Sequence, residues 1–569
     1  MSRAASLSIV IALASFGRWS VASAQGGLCR SPRHTVSDAA FDDHLGLAVA
    51  RSGSTTAVSA LNDDDLGANS GSVYVFEDQS GSLVQTAKLH ASDGAAGHGF
   101  GHAIAMHGDT LVIGAPSVPG PTLAKRGAVY VFVRNGVTWV EQAKLVPTGA
   151  GEWSAFGYTV AIDGDTVVAG SPDSAAGLAF VFVRNGSTWA QEAELLTAVP
   201  LTFHAHFGTD VAVEGDTAVV GALYENCSGV LNPPPPCGAL HVFKRTGTTW
   251  SEQVELTEPG AGIWDAFGHR VDISGGRIAA TVGGTAIVYR EIGGVWTVEA
   301  RLDGGSFLPS LSMDDDLLAL GWPNSAAAPF PRYSGAVNIF RRANTTWSLV
   351  GKLRPASLIG GEQFGTAVDV DHGSVVIGAP AANATDGAFY LAHPTPYTAF
   401  CFGDGTMPVP CPCAPPDAVP SPSGALLAGC AASFNPGGAR LTACGSLSPS
   451  DGLQLIAELR ADYTNYAFAI RGDVRAVNGI AAGDGLRCVG GSLVRFGGHA
   501  GQFGPVGPPT FGNGFWTYPY WNNAQSISSA TSQVAGQTAY YQVVYRDSGI
   551  GHCNPSAYNL TNGVAVTWP

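Results

Sequence analysis

Short apolar runs of four to six residues, broken by Gly, Asp-Gly or Asn-Gly, return at a near-constant interval from Leu45 to Ala392. The most regular copy reads FGHAIAMHGDTLVIGAP (Phe100 to Pro116), then GAVYVFVRNGVTW (Gly127 to Trp139), then AKL (Ala143 to Leu145). Each run is too short for a helix and is closed by turn residues, so each copy predicts four strands. Asp163-Gly164-Asp165 predicts a two-residue hairpin between the first and second strands, and Arg134-Asn135-Gly136 a turn between the third and fourth. A fixed period of about 55 residues means one supersecondary unit copied along the chain.

Aligned copies begin at Leu45, Phe100, Phe156, Phe207, Phe267, Phe307 and Phe364. Phe132 precedes Trp139 by seven residues, and the same step joins Phe182 to Trp189, Phe243 to Trp250, Tyr289 to Trp296 and Phe340 to Trp347. Six residues after each Trp comes a Leu: Leu145, Leu195, Leu256, Leu302 and Leu353, with Leu83 and Leu89 standing for the pair in the first copy. The even step predicts Trp and Leu on one face of the fourth strand. Third strands such as Val129-Tyr130-Val131-Phe132 are apolar on both faces, which antiparallel strands tolerate only when sandwiched between sheets; radial stacking of four-stranded blades supplies that setting. Seven copies predict seven blades. The last copy lacks its Trp strand, so the segment from Cys29 to Thr35 is expected to close the ring, placing Cys29 near Cys401 for a disulfide.

The phrases Phe-Gly, Gly-Ala-Pro (Gly114 to Pro116, Gly378 to Pro380) and Gly-Ala-Val-Tyr-Val-Phe resemble the FG-GAP repeat. That resemblance implies a β-propeller like those of integrin alpha chains and of bacterial secreted proteins. After Ala392, CFGDG, CPC, GDGLRCVGG and YYQVVYRD resemble a Cys-rich module of planctomycete-like exported proteins and imply no function. The expected fold is therefore all-β: a seven-bladed propeller over residues 25–398, then a smaller disulfide-braced β-sandwich over 399–569.

Residues 1–24 read as a cleaved signal peptide, with Arg3, the apolar run Leu7 to Phe16 and Ala22-Ser23-Ala24 as a small-x-small site. The expected location is secreted or cell-envelope, with no later segment apolar enough to span a bilayer. Ten cysteines suit an oxidising compartment. Cys227 and Cys237 bracket SGVLNPPPP and are expected to staple that loop; for the cluster beyond residue 400, disulfides are weighed above zinc because CxxC spacing is absent. A formal net charge of −15 argues against nucleic acid, which needs clustered Lys and Arg.

Integrin-type repeats bind calcium through an Asp-rich loop between the first two strands. Here that place holds only His107-Gly-Asp109, Asp163-Gly-Asp165, Glu214-Gly-Asp216 or Asp371-His-Gly, turns too short to wrap an ion that wants six to eight oxygens. No cofactor is expected, with calcium at Asp63, Asp64 and Asp65 as the one candidate; the competing reading is a solvated acidic loop tip. Asp314-Asp315-Asp316 aligns with the hairpin turn. The histidines His98, His102, His204, His206 and His269 form no zinc pattern, and no GxSxG elbow occurs. In the C-terminal part Trp516, Tyr518, Tyr520 and Trp521 could make a sugar platform or fill a core.

These observations lead to a non-catalytic, monomeric binding or adhesion protein whose rim loops recognise an extracellular protein or glycan. Loops between the second and third strands vary most in length and share one rim, where binding surfaces of repeat proteins gather. The alternatives are an extracellular hydrolase or lyase acting at the channel mouth, and a structural envelope component.

Overall fold

In the computed structural model the described residues are 28–30, 33–79 and 82–394 apart from short loop segments, and strands alone beyond 394. Seven four-stranded antiparallel sheets form the propeller, and the described residues contain no α-helix. Blade 1 runs from an inner strand Leu45–Ser52 through Thr55–Ala60 and Ser72–Gln79 to an outer strand Ser82–Leu89. Inner strands of blades 2 to 7 are Ala103–His107, Thr159–Asp163, Phe207–Glu214, Val271–Ser274, Ser310–Asp314 and Val368–Asp371.

Blade 7 takes its outer strand from the other end of the chain. Leu28–Arg30 pairs antiparallel with Ala392 to Pro394, and His34 adds a bridge to Phe389. The closing strand thus begins one residue before the expected segment and is shorter. His34 stacks on the Phe389 ring at 5.2 Å, and Val36 joins Leu45, Tyr74, Phe389 and Leu391 in the core between the last and first blades. Cys401 lies outside the described residues.

The second strands are buried along nearly their whole length, as in Thr110–Ala115, and the third strands over their first part, as in Val129 to Phe132. Their side chains alternate between two interblade cores, so each blade shares one core with the blade before it and one with the blade after. The glycines of the repeated phrase lie where blades meet. Gly127 has a φ of +84°, and a Cβ there would stand 2.1 Å from the Phe156 carbonyl oxygen of the next blade. The Phe156 N–H in turn donates to the Arg126 carbonyl at 3.0 Å, so backbone touches backbone across the junction. Gly387 makes the same approach to Leu45 at the closing seam, with a φ of +86°.

One expectation is corrected. Trp and Leu of the outer strand occupy opposite faces. Trp139 pairs with Arg134 and Leu145 with Val129, but the register shifts between Val131 and Phe132. That bulge adds one residue to the outer strand and inverts the alternation beyond it. Trp139 accordingly packs into the core shared with blade 1, and Leu145 into the core shared with blade 3. The same bulge recurs in blades 1, 3, 4, 5 and 6.

Beyond residue 394 the backbone forms further antiparallel strands. One sheet holds Tyr397–Phe400, Gly563–Thr567, Thr538–Arg546, Tyr466–Gly472 and Val494–Ala500, and another joins Arg440–Cys444, Gln454–Arg460 and Asn513–Tyr518. Trp516 and Tyr518 are on the last of these strands, but their side chains lie outside the described residues, as do Tyr520 and Trp521 altogether. Cys227 is also outside them; Cys237 is buried and is not a free thiol.

Candidate functional site

The two rims of the propeller differ in kind. On one, the first-to-second and third-to-fourth connections are two-residue turns such as Gly108-Asp109 and Gly136-Val137, closed by the pairs His107–Thr110 and Asn135–Thr138. The other carries every second-to-third connection and every link between blades, from the single dipeptide Gly283-Gly284 in blade 5 to residues 61–71 in blade 1 and 223–238 in blade 4. Tight turns leave little to vary, so recognition by loops belongs to the second rim.

On that rim the structure gathers Asp63 and Asp65 with His90, and it also supplies their counter-charge. Lys88 Nζ, from the outer strand of the same blade, stands 2.8 Å from Asp63, 2.6 Å from Asp65 and 2.9 Å from Asp38. Asp63 is buried, and its carboxylate also accepts the Tyr74 hydroxyl at 3.2 Å and the Asp65 N–H at 3.1 Å. His90 Nε2 lies 3.1 Å from Asp65. Asp64 turns away and accepts the Asn69 N–H at 2.7 Å, holding the loop's own bend. Burial opposes the Lys88 charge, but hydrogen bonds to Asp63 and Asp65 outweigh it and hold the ammonium well above its ordinary range. The hydrogen bond from Lys88 likewise holds Asp65 below the ordinary carboxylate range. An ammonium therefore occupies the centre of the expected cation site. Lys88 lies 23 residues from Asp65, too far along the chain for the loop sequence to reveal it.

Blade 2 repeats the arrangement more openly, with Asp93 accepting the Tyr130 hydroxyl at 2.7 Å and Lys144 Nζ at 2.5 Å. Blade 4 replaces the tyrosine by His241, almost fully buried, whose Nδ1 is 2.6 Å from Glu252 and whose Nε2 is 2.8 Å from Glu225. Burial disfavours its charge, yet the two glutamates overcome that and raise its pKa to about 9. Each device ties a rim loop or outer strand to its blade.

Inner strands of all seven blades enclose a central channel of about 470 Å³. Counted from the first apolar residue of each copy, the fifth following residue is Ala50, Ala105, Ala161 and Ala212 in blades 1 to 4, but Asp272, Ser312 and Asp369 in blades 5 to 7. These polar side chains reach the next blade. Met313 N–H donates to Asp272 at 2.7 Å, Val370 N–H to the Ser312 hydroxyl at 3.1 Å, and Arg51 N–H to Asp369 at 2.6 Å. Asp210, two positions earlier in blade 4, accepts the Val271 N–H and the Thr159 hydroxyl, both at 2.9 Å. Inner strands are sheet edges with unpaired N–H groups. The polar half of the channel satisfies them with side chains of the preceding blade. Enclosure by the ring raises Asp210 above the ordinary carboxylate range, and raises Asp272 and Asp369 to about 7. Sequence reasoning missed these carboxylates because Val-Asp-Ile and Val-Asp-Val read as ordinary strand alternation; alanine at the same place in four aligned copies was the available signal.

Four stretches, residues 33–76, 83–132, 139–182 and 189–243, match the family described as FG-GAP repeat. Over these stretches the chain is similar to FG-GAP repeats. Together with the seven four-stranded sheets, the match supports an FG-GAP propeller. The matched unit is offset from the blade by one strand: 83–132, for example, holds the outer strand of blade 1 and the first three strands of blade 2. The first unit begins at residue 33, just beyond the strand that closes blade 7, and so holds only strands of blade 1. No curated protein matches the chain.

Proposed function

We propose that this FG-GAP propeller is an exported, non-catalytic binding or adhesion protein that recognises an extracellular protein or glycan through its long-loop rim. The difference between the rims carries the reading: one is reduced to two-residue turns, while the other presents loops of unequal length from every blade. A rigid ring bearing variable loops on one side suits recognition by surface shape. Export rests on the N-terminal sequence, and the Cys227–Cys237 staple on their placement at the ends of the Pro-rich insert in blade 4.

The test is affinity capture of envelope and extracellular material, or binding to a glycan array, by the mature chain. Replacing residues 61–71 by the short Gly-Gly connection of blade 5 is expected to abolish or redirect capture. Substitutions in the opposite turns, such as Val137→Ser, are expected to leave it intact. Capture that is indifferent to the long loops, or no capture at all, would favour a structural envelope role instead.

A further inference from the structure

Each inner strand begins at the long-loop rim, so the residues just after each Phe-Gly or Leu-Gly surround that mouth of the channel. In blade 1 the place is held by Leu47, and in blades 2, 3, 4 and 7 by His102, Tyr158, Thr209 and Thr366; in blade 5 Arg270, one residue further on, lines the channel. The hydroxyls here are committed to neighbouring backbone. Thr209 donates to the His206 carbonyl at 2.6 Å, Thr366 to the Gln363 carbonyl at 2.8 Å, and Ser310 of blade 6 to the Gly365 carbonyl at 2.8 Å. Arg270 is not committed. Its guanidinium makes one hydrogen bond, from Nη1 to the His269 carbonyl at 3.2 Å, and joins no ion pair among the described residues. Asp210 does not take it, because its two oxygens accept the Thr159 hydroxyl and the Val271 N–H. A guanidinium is a fork of N–H donors with no acceptor, so most of that fork faces the channel unused.

His102 and Tyr158 furnish the other part of the mouth. Their rings lie 4.6 Å apart at 44°, and Tyr158 is 37% exposed. His102 Nδ1 stands 3.0 Å from the Tyr158 carbonyl, which can only accept. Nδ1 therefore carries the proton, and Nε2 is left as an acceptor. Burial, helped by the charge of Arg270, lowers the pKa of this ring and keeps it neutral. A donor fork, an acceptor and a partly exposed aromatic face thus meet at the entrance of a 470 Å³ channel.

Charge along the channel selects against ions. An anion would face Asp210 and, deeper, Asp272 and Asp369; a cation would have to pass Arg270, with Arg51 further in. A neutral ring with hydroxyls on its edge and C–H groups on its face meets neither penalty. We propose that the long-loop mouth of the channel binds a neutral sugar residue, its C–H face on Tyr158 and its hydroxyls on Arg270 and His102 Nε2. The proposal rests on the reading that this rim recognises a glycan. It divides the work: the loops select the larger partner, and the mouth holds one sugar of it.

The test is an array of neutral and charged saccharides probed with the full mature chain, followed by titration calorimetry with the methyl glycoside of the strongest neutral binder. Tyr158→Ala and Arg270→Met are each expected to weaken that binding about tenfold or more. Tyr158→Phe keeps the ring and is expected to bind as wild type does, so a loss confined to the alanine variant reports the sugar face. Binding that either Tyr158→Ala or Arg270→Met leaves intact overturns the proposal. A preference for uronic acids or free amino sugars overturns it too, as does the absence of any neutral binder. Loss of capture on replacing residues 61–71, with both channel variants binding the array as wild type does, would keep the rim reading and remove the channel site.

Discussion

The carboxylate of Asp371, ending the last inner strand, accepts the backbone N–H of Gly53 in the first blade at 2.8 Å, across 318 positions of sequence. The same bond joins Ser52 to Gly108, Asp163 to Gly215, Glu214 to Gly275, Ser274 to Asp315 and Asp314 to His372. At the remaining junction His107 lies 3.2 Å from Asp163 instead. Residues that read as turn formers thus have a second task, stitching each blade to the next around the tight-turn rim.

Asp371→Ala is therefore expected to cost about 1 kcal/mol in urea unfolding, because it removes one acceptor from a partly exposed N–H. Asp371→Asn, which keeps an acceptor oxygen, is expected to recover most of that. Equal stability of Asp371→Ala and wild type would show that the rim stitch contributes nothing at the seam.

Gly127→Ala is expected to be far more damaging. The added Cβ would sit 2.1 Å from the Phe156 oxygen and 2.6 Å from its nitrogen, both backbone atoms of the neighbouring blade, at a φ of +84°. Relief requires the blades to part, so the cost is expected to be about 3 kcal/mol or more. Gly136→Ala is the control, since its φ of +65° carries strain but its Cβ meets nothing within 4 Å. About 1 kcal/mol is expected there. Denaturant unfolding that ranks the two alike would refute this account of the motif glycine.

The blade count, the strand order and the closing N-terminal strand were legible because apolar runs and turn residues repeat in register. The face taken by Trp139 and Leu145 was not, because a bulge at Val131/Phe132 shifts the register without disturbing the six-residue spacing. The loop carrying Asp63 to Asp65 was visible as an acidic tip, but its meaning depended on Lys88, which only strand pairing beside Tyr74 brings there. His241 was likewise silent: its aligned neighbours are Tyr74 and Tyr130, and its two glutamates come from a loop and an outer strand. Periodicity reports what copies share, whereas these sites arise where one copy departs from the rest.

His241 sets a pH limit on blade 4. Its folded pKa is raised, to about 9, so its contribution to stability is complete below about 6.5 and is lost as pH climbs through 9. The stability difference between wild type and His241→Gln is expected to shrink by roughly 1–3 kcal/mol from pH 6 to pH 10, measured by urea unfolding. A difference that stays level over that range would mean the imidazole is neutral between Glu225 and Glu252.

Lys88 and Lys144 make matching contacts in neighbouring blades, but burial of their partners should separate them. The Asp63 side chain is 4% exposed and that of Asp93 is 50% exposed. Lys88→Met leaves a buried carboxylate without its counter-charge and is expected to cost about 3–5 kcal/mol. Lys144→Met leaves Asp93 to water and is expected to cost less than about 1 kcal/mol. The same geometry bears on calcium: an ion at Asp63 and Asp65 would have to displace an ammonium already within 2.8 Å of both. Millimolar calcium is therefore expected to leave the wild-type unfolding temperature unchanged. A calcium-dependent rise that Asp63→Asn abolishes would show that the ion wins this competition, and would return the acidic loop of blade 1 to the role of a cation site.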